Sequence, residues 1–383
     1  MVEQRTENPC VPGSIPGGTT NQARLEVSPF FFLHSMKVVS PKYCRTAARL
    51  AKLLERQLAG RRYLILTDET VSDCCLTHLG EFMSEFPPLD IVEVDSGEAC
   101  KQYDVVVELW RHLLELNITR FDVIICVGGG SITDLGGFIA STYKRGIPFM
   151  YIPTTLLAMT DAAIGGKNGI DFQDVKNAIG TINQPEAIFM HKPFLETLPE
   201  VQFQSGMAEV IKHGVIQGGK LWQRLKAESS SKSDITDDVL KLSIKTKIAI
   251  VGKDLYEKDL RKVLNFGHSI GHALESWFLS KETPLEHGLA VAIGMLIESA
   301  LAAEMGLLNH ADLLEIRSVI IAYLGLDTLS IPNWSEVRPF LMNDKKFSGD
   351  RMLFALPMGI GKVAPSVIVE EELVELVYSK AAR

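Results

Sequence analysis

Val123-Ile124-Ile125-Cys126-Val127 runs directly into Gly128-Gly129-Gly130 and then into Ser131-Ile132-Thr133-Asp134-Leu135-Gly136-Gly137. An apolar run of this length, closed by glycine, reads as a buried strand, and the segment after it as a helix. Strand, glycine turn and helix N-terminus together offer unhindered backbone N–H groups and a positive dipole end to an anion. The G-x-G-x-x-G dinucleotide fingerprint is not met, because Thr133 occupies the third glycine position. A tight structural turn would also explain three glycines. Asp134 either hydrogen-bonds a ligand hydroxyl or complements the helix N-terminus, and spacing alone leaves both open.

The surrounding sequence repeats the alternation. Ser40-Pro41 reads as a helix start, with Ala47, Leu50, Ala51, Leu54 and Leu58 at helical spacing until Gly60. Then come a strand Tyr63 to Thr67, a helix to about Phe86, a strand Ile91 to Val94, a helix Tyr103 to Leu116 and a strand near Phe149 to Ile152. Strands and helices at this spacing imply a parallel sheet covered on both faces. Beyond about Pro193 helices dominate: Ser205 to Ile216, Asp237 to Val251, His268 to Leu279, His287 to Glu304 and Ala311 to Tyr323. Glu228 to Asp238 reads as a solvated connection. Met352 to Leu356 and Lys362 to Val369 read as strands joined through Pro357-Met358-Gly359-Ile360-Gly361. The expected class is α/β: a flexible tail over 1–35, a Rossmann-like parallel-sheet domain over 36–192 and a mainly α-helical domain over 193–383.

The 383 residues are 46% hydrophobic and 22% charged, which excludes wholesale disorder. A net charge of −8 argues against nucleic acid as the main partner, since phosphate backbones are bound by excess Lys and Arg. No apolar run approaches the roughly 20 residues that span a bilayer. Six cysteines without a CxxC pair give neither a disulfide framework nor a cysteine zinc site. Cys126 reads as a buried apolar thiol. A cytoplasmic protein without membrane contact is expected.

Two further groups of residues carry chemistry. Gly165-Gly166-Lys167 ends in Lys but lacks the P-loop's leading glycine and its Ser or Thr, so Lys167 and Lys176-Asn177 suit a phosphate monoester better than a nucleoside triphosphate. A single Lys is otherwise a solvated charge. In Asn265-Phe266-Gly267-His268-Ser269-Ile270-Gly271-His272-Ala273-Leu274-Glu275, His268 and His272 are four apart and share a helix face. Two imidazoles with a carboxylate from elsewhere make an open zinc environment. Candidate further groups are His287 in Glu286-His287-Gly288 and Glu209 in Met207-Ala208-Glu209-Val210-Ile211-Lys212.

Taken together, these runs resemble 3-dehydroquinate synthase, within the sugar phosphate cyclase superfamily. The resemblance runs from about Tyr63 to Lys362. It is strongest at Gly128 through Asp134, Arg145-Gly146, Pro153-Thr154-Thr155-Leu156-Leu157 with Asp161, Gly165-Gly166-Lys167, Lys176-Asn177, Gly206 through Lys212 and Arg261 through His272. It implies cyclisation of 3-deoxy-D-arabino-heptulosonate 7-phosphate to 3-dehydroquinate with phosphate release, a step of the shikimate pathway, using bound NAD that is regenerated in each turnover. It implies Glu209, His268 and His287 as ligands of a zinc (or cobalt) ion that holds the substrate's C4 and C5 hydroxyls. His272 is then a base or proton relay. By the same resemblance Lys167, Asn177, Lys212, Asn265 and Arg145 contact phosphate and hydroxyls, with Arg145 reaching from a second subunit of a homodimer. Lys247, Arg261 and one of Lys345 or Lys346 meet the carboxylate. Asp68, Glu98, Lys101, Gly129, Gly130, Asp134, Thr154, Thr155, Asp161, Thr197 and Leu198 fall on NAD-binding positions, with Lys167 and Lys176 beside them.

Four residues depart from the family pattern: Asn168 where Thr usually follows Gly-Gly-Lys, Thr70 where Asn is common, and Ser131 and Thr133 in the glycine turn. They bear on cofactor affinity and fine specificity. A cyclase acting on an amino analogue or on sedoheptulose 7-phosphate is the nearest alternative. The metal-dependent polyol dehydrogenases are the alternative of a different class, although a small neutral alcohol needs no Lys-rich site.

Overall fold

Two uninterrupted apolar strands anchor the architecture. In the computed structural model, which describes residues 37–173, 175–227, 235–326, 331–342 and 351–382, β2 (Tyr63–Asp68) and β4 (Val123–Gly128) are buried along their whole lengths. A strand buried on both faces is apolar along its run, which is why these segments lack alternation, with Thr67 and Asp68 only at the carboxyl end of β2. They pair with each other and with β3 (Ile91–Val94), β5 (Phe149–Pro153), β8 (Ala187–Met190) and β1 (Lys42–Tyr43) in the all-parallel order β1-β8-β5-β4-β2-β3. From β2 the chain steps outward to β3, then returns to place β4 on the other side of β2. The strand order therefore reverses between β2 and β4, and in open parallel sheets ligands bind at the carboxyl ends of such a pair. Asp68 ends one of these strands and Gly128 the other.

Helices α1 (Ala47–Leu58), α2 (Glu69–Cys75), α3 (Gly80–Glu85), α4 (Tyr103–Glu115) and α5 (Gly130–Thr142) accompany the sheet. Ser40-Pro41 does not start α1. The chain there enters β1, and Thr46 caps the helix by accepting from the Arg49 amide at 3.2 Å. The single helix expected up to Phe86 is broken into α2, a 3-10 turn and α3. The antiparallel hairpin of β6 (Lys167–Phe172) and β7 (Val175–Ile182) was not legible in the sequence.

The second half is helical. It comprises α6 (Glu200–Gln217), α7 (Gly219–Ala227), α8 (Asp237–Val251), α9 (His268–Ser280), α10 (His287–Glu304), α11 (His310–Leu324), α12 (Trp334–Met342) and α13 (Glu371–Ala381), and α10 packs on α6, α9, α11 and α13. α7, α12 and α13 add to the expected set. Asp237 and Asp238 open α8 rather than closing a polar connection, and 228–234 lie outside the described residues. β9 (Arg351–Gly359) and β10 (Lys362–Glu370) pair antiparallel, and β9 runs on through Pro357 to leave a two-residue turn. By length and composition α10 could cross a membrane, but 67% of it is buried inside the protein and it carries the buried Glu298. The 1–35 tail lies outside the described residues. Cys126 is fully buried, and burial pushes its thiol well above the usual range.

Candidate active site

Glu209 sits in the middle of α6 with no exposure, and neither carboxylate oxygen accepts a hydrogen bond from the described residues. The Lys212 ammonium, one turn on and equally buried, stands against Oε2 as an ion pair. His268 and His287 are the first residues of α9 and α10. Their Nε2 atoms lie 3.5 and 3.8 Å from Glu209 Oε1. Each imidazole is held from behind. His268 Nδ1–H donates to the Phe266 carbonyl at 3.2 Å, and His287 Nδ1–H to Glu275 Oε2 at 3.0 Å. Fixing Nδ1 as the donor leaves a lone pair on Nε2, the arrangement of a metal-bound histidine.

Tetrahedral zinc with ligands at ~2.05 Å puts them about 3.3 Å apart. One ligand atom from each of the three residues lies within 4.8 Å of the others, so the donor set fits a divalent cation. Burial, then the charge of Lys212, holds His268 well below its usual pKa and keeps it neutral for ligation. Burial also acts to lower His287, but the hydrogen bond to Glu275 together with the charges of Glu275 and Glu209 outweighs it and raises the group. His272 is exposed beside the triad, its ring 5.1 Å from that of His268 and 5.9 Å from that of His287.

A row of buried cations leads away from the triad. Asp161 stands on a π-turn, Ala158–Ala162, and contributes an oxygen within the same 4.8 Å span as Glu209 and His213. Lys247 of α8 donates to both the backbone and side-chain oxygens of Asp161. Burial lowers the Lys247 pKa against the pull of Asp161. For Asp161 the burial penalty is outweighed by Lys247 and Lys212, which hold the carboxyl far below its usual range. Arg261 comes next. It is buried, and among the described residues its guanidinium donates to the carbonyls of Leu255 at 2.6 Å and Gly165 at 3.5 Å and to no carboxylate, while burial lowers its pKa against the charges of Glu257, Asp161 and Asp254. Lys167 pairs with Glu257, which also accepts from Asn265 Nδ2 at 2.7 Å.

The sheet side carries a second buried ammonium cluster. Lys101 Nζ lies 3.2 Å from Asp134 Oδ2, 2.6 Å from Asn177 Oδ1, 3.5 Å from Glu98 and 3.9 Å from Asp171. Burial pushes the Asp134 carboxyl up to about 6, against the opposing charge of Lys101. α5 starts at Gly130 without any side-chain cap, so its first amides remain available. A Cβ on Gly129 would meet Thr155 Cγ2 at 3.2 Å, and one on Gly130 would meet Ala162 Cβ at 3.3 Å. Glycine at both positions lets the turn pack closely without hindering its amides, an arrangement that suits an anion. Thr154 Oγ1, beside the turn, is buried with no hydrogen-bond partner among the described residues. Thr155 Oγ1 accepts from the Ala158 amide at 3.1 Å, and Asp68 caps α2 through Val71 N at 3.0 Å while accepting from Ser96 Oγ at 2.9 Å. Thr197 Oγ1 donates to the Phe194 carbonyl at 3.3 Å, and Leu198 is buried next to it.

Residues 91–205 match the family described as 3-dehydroquinate synthase N-terminal, and residues 206–347 match 3-dehydroquinate synthase C-terminal. The chain belongs to the 3-dehydroquinate synthase family. A 3-dehydroquinate synthase from Streptococcus pyogenes serotype M3 (strain ATCC BAA-595 / MGAS315) is 38% identical over 304 residues, 79% of this chain and 84% of that protein. One from Prochlorococcus marinus (strain MIT 9312) is 35% identical over 325 residues, 82% and 88% of the two chains. Among solved structures, a 2-epi-5-epi-valiolone synthase from Streptomyces hygroscopicus subsp. jinggangensis 5008 with NAD+ and Zn2+ bound superposes with TM-score 0.79 at 28% identity, over 91% of this chain and 98% of that one. A Thermotoga maritima iron-containing alcohol dehydrogenase shares the fold at TM-score 0.60 and 14% identity, over 90% and 99%.

The structure brings Glu209, His268, His287, His272 and Lys212 together, sets Asp161, Lys247, Arg261, Lys167 and Asn265 in the adjoining row and joins Glu98, Lys101, Asp134 and Asn177 at the sheet, whereas Asp68 bonds to α2 and Ser96, and Thr197 and Leu198 to the turn before them. Arg145 joins none of these groups. It is exposed, with φ of 65°, on the turn that ends α5. Lys345 and Lys346 lie outside the described residues. Lys176 reaches Glu275 Oε1 at 2.9 Å and so touches the metal cluster through its second carboxylate oxygen. Sequence reasoning missed the roles of Glu275 and Glu257. Glu275 was visible one helical turn beyond His272, but its link to His287 crosses between helices. Glu257 lies in a charged loop with no period to mark it.

Proposed function

We propose that this chain converts 3-deoxy-D-arabino-heptulosonate 7-phosphate into 3-dehydroquinate and inorganic phosphate. The observation that carries the reading is Arg261: a buried guanidinium that, among the described residues, hydrogen-bonds to neutral carbonyls and pairs with no carboxylate, in the row of cations beside the metal triad, suits a substrate with a carboxylate. Neutral alcohols, the substrates of the dehydrogenase alternative, have no use for such a cation.

Glu209, His268 and His287 would hold a divalent cation, and the uncapped start of α5 with Gly129, Gly130, Asp134 and Lys101 would hold NAD. When bound, NAD supplies a reversible hydride acceptor at C5, and the cation supplies Lewis acidity at the substrate hydroxyls. The residues do the rest. Lys247 and Arg261 bind the carboxylate end. Lys167, Asn177 and Asn265 bind the phosphate end. An imidazole nitrogen of His272, exposed beside the ligand histidines, takes up and returns a proton. Lys212, paired with Oε2 of Glu209, holds that carboxylate in place. Holding one substrate at both ends orients the open-chain intermediate for its intramolecular aldol step.

Arg145, exposed at the end of α5, suits a site completed across a homodimer. The free cysteines of the described residues are consistent with the cytoplasm. The test is phosphate release from the heptulosonate phosphate, compared with sedoheptulose 7-phosphate, with NADH followed optically. Phosphate should appear without NADH accumulating. NADH rising in step with turnover would select the dehydrogenase reading, and preference for the sedoheptulose phosphate would select the alternative cyclase.

A further inference from the structure

We propose that Glu298 is a positioning residue of the metal centre: it clamps the first turn of α9 so that His268 is aimed at Glu209. The inference rests on the cation-binding reading above. It begins with an oddity in α9, whose N-cap position is Gly267, with φ of 81° and no side chain to cap the helix. The first amides of a helix have no partner within it, and here that end is buried, so water does not satisfy them. Glu298 does. It lies three turns along α10 from His287 with no exposure, and both of its oxygens are used. Oε2 accepts from the Gly267 amide at 2.6 Å, and Oε1 from the Ile270 amide at 3.2 Å.

A carboxylate this deep is costly unless hydrogen-bonded, and a helix N-terminus is the dipole end that favours it. The two helices also meet backbone to backbone: a Cβ on Gly294 would collide with the Gly267 carbonyl. His268 directly follows Gly267, and its Nδ1–H is tied to the Phe266 carbonyl in the same turn. One carboxylate therefore fixes the turn that sets the direction of His268, and it extends from the helix that carries His287. Without it, two buried amides lose their acceptor and the turn must rearrange to find others, moving the imidazole away from Glu209.

The experiment is a Co2+ titration of the full-length, metal-stripped protein against a competing chelator, read by the visible absorption of the bound ion. Supporting groups behind metal ligands typically change affinity 10–100-fold. Glu298→Ala should bind Co2+ at least tenfold more weakly and with an altered band. Glu298→Gln, which keeps one acceptor oxygen, should fall between it and the wild type. If the Ala variant does not fold, the Gln variant decides. Wild-type affinity and spectrum in the soluble variants, even with a lower melting temperature, would reduce Glu298 to a stabilising cap and overturn the proposal. Glu209→Ala is the control: if it binds Co2+ as well as the wild type does, the cation reading itself fails, and this inference fails with it.

Discussion

Replacing Lys101 with Met removes the ammonium that balances Asp134 and Asp171 in the interior of the sheet domain. Lys101 is 2% exposed, and its charge has no aqueous alternative. Removing one member of a buried ion pair typically costs about 3–5 kcal/mol, because the other charge is left uncompensated. At ~2.1 cal/mol/K of unfolding entropy per residue, a chain of this length loses about 4–6 °C of melting temperature for that cost. The pH dependence identifies which carboxylate is responsible. Asp134 already has its folded pKa raised from 3.8 to about 6, burial being the main cause and Lys101 the main opponent. A raised carboxyl pKa means that the proton favours the folded state. That contribution is present below about 3.8 and is lost as pH rises through about 6. Without Lys101 the folded pKa moves higher still. The variant should therefore melt close to the wild type near pH 5 and show the full loss near pH 8. Adding Asp134→Asn to Lys101→Met should recover much of the difference at the higher pH. The assay is a set of thermal melts of wild type, both single variants and the double variant at the two pH values. Equal losses at both, with no recovery in the double variant, would refute the idea that Asp134 is the charge Lys101 balances.

Glu275→Ala should weaken divalent-cation affinity by about 10–100-fold, since His287 loses the acceptor on its Nδ1; unchanged affinity in a chelator competition would mean that His287 is oriented by something else. Arg261→Ala should lower kcat/KM on the heptulosonate phosphate by at least about tenfold, as expected for a charged hydrogen bond of ~1.5–3 kcal/mol. It should also lower the melting temperature, because the Leu255 and Gly165 carbonyls lose their donor. A stability loss with no rate loss would leave Arg261 a purely structural role. Arg145→Ala mixed with His272→Ala should regain activity through hybrid dimers, and no recovery after proven subunit exchange would count against a shared site.

The sheet was readable because its central strands are long apolar runs, with Thr67 and Asp68 only at the end of β2, and the helices α8 and α10 because Thr236 caps the first and the second is apolar almost throughout. Asp237–Val251 and His287–Glu304 begin and end where the sequence places them. The hairpin β6–β7 hid for the opposite reason. β7 is exposed along most of its length, contains Gly180, and bends at Asn177 with φ of 51°, so neither burial nor alternation marks it. Yet it delivers Lys176 and Asn177 to the site. Helical spacing singled out His268 with His272, whereas the set that converges, Glu209, His268 and His287, comes from three helices and was named through the family resemblance. What orients those donors was not, because those contacts form only on packing: Glu275 to His287, Glu298 to Gly267, Lys101 to Asp134 and Lys247 to Asp161.

The net charge of −8 is a poor guide to what this protein binds, because its functional charges are sequestered. Lys101, Lys212, Lys247 and Arg261 are each no more than 5% exposed. Three of the four are already matched inside the fold, Lys101 by Asp134, Lys212 by Glu209 and Lys247 by Asp161. Such matching lets ammonium groups stay buried, and it also sets the terms for a ligand. An incoming anion at Lys247 must share it with Asp161 in a direct ion pair, whereas at Arg261 the hydrogen bonds it displaces go to backbone carbonyls, and Glu257, Asp161 and Asp254 act on the guanidinium only through their charge. A carboxylate therefore meets less direct competition at Arg261. This is why loss of that one guanidinium should discriminate between a substrate with a carboxylate and a phosphosugar without one, while changes at Lys247 should affect both.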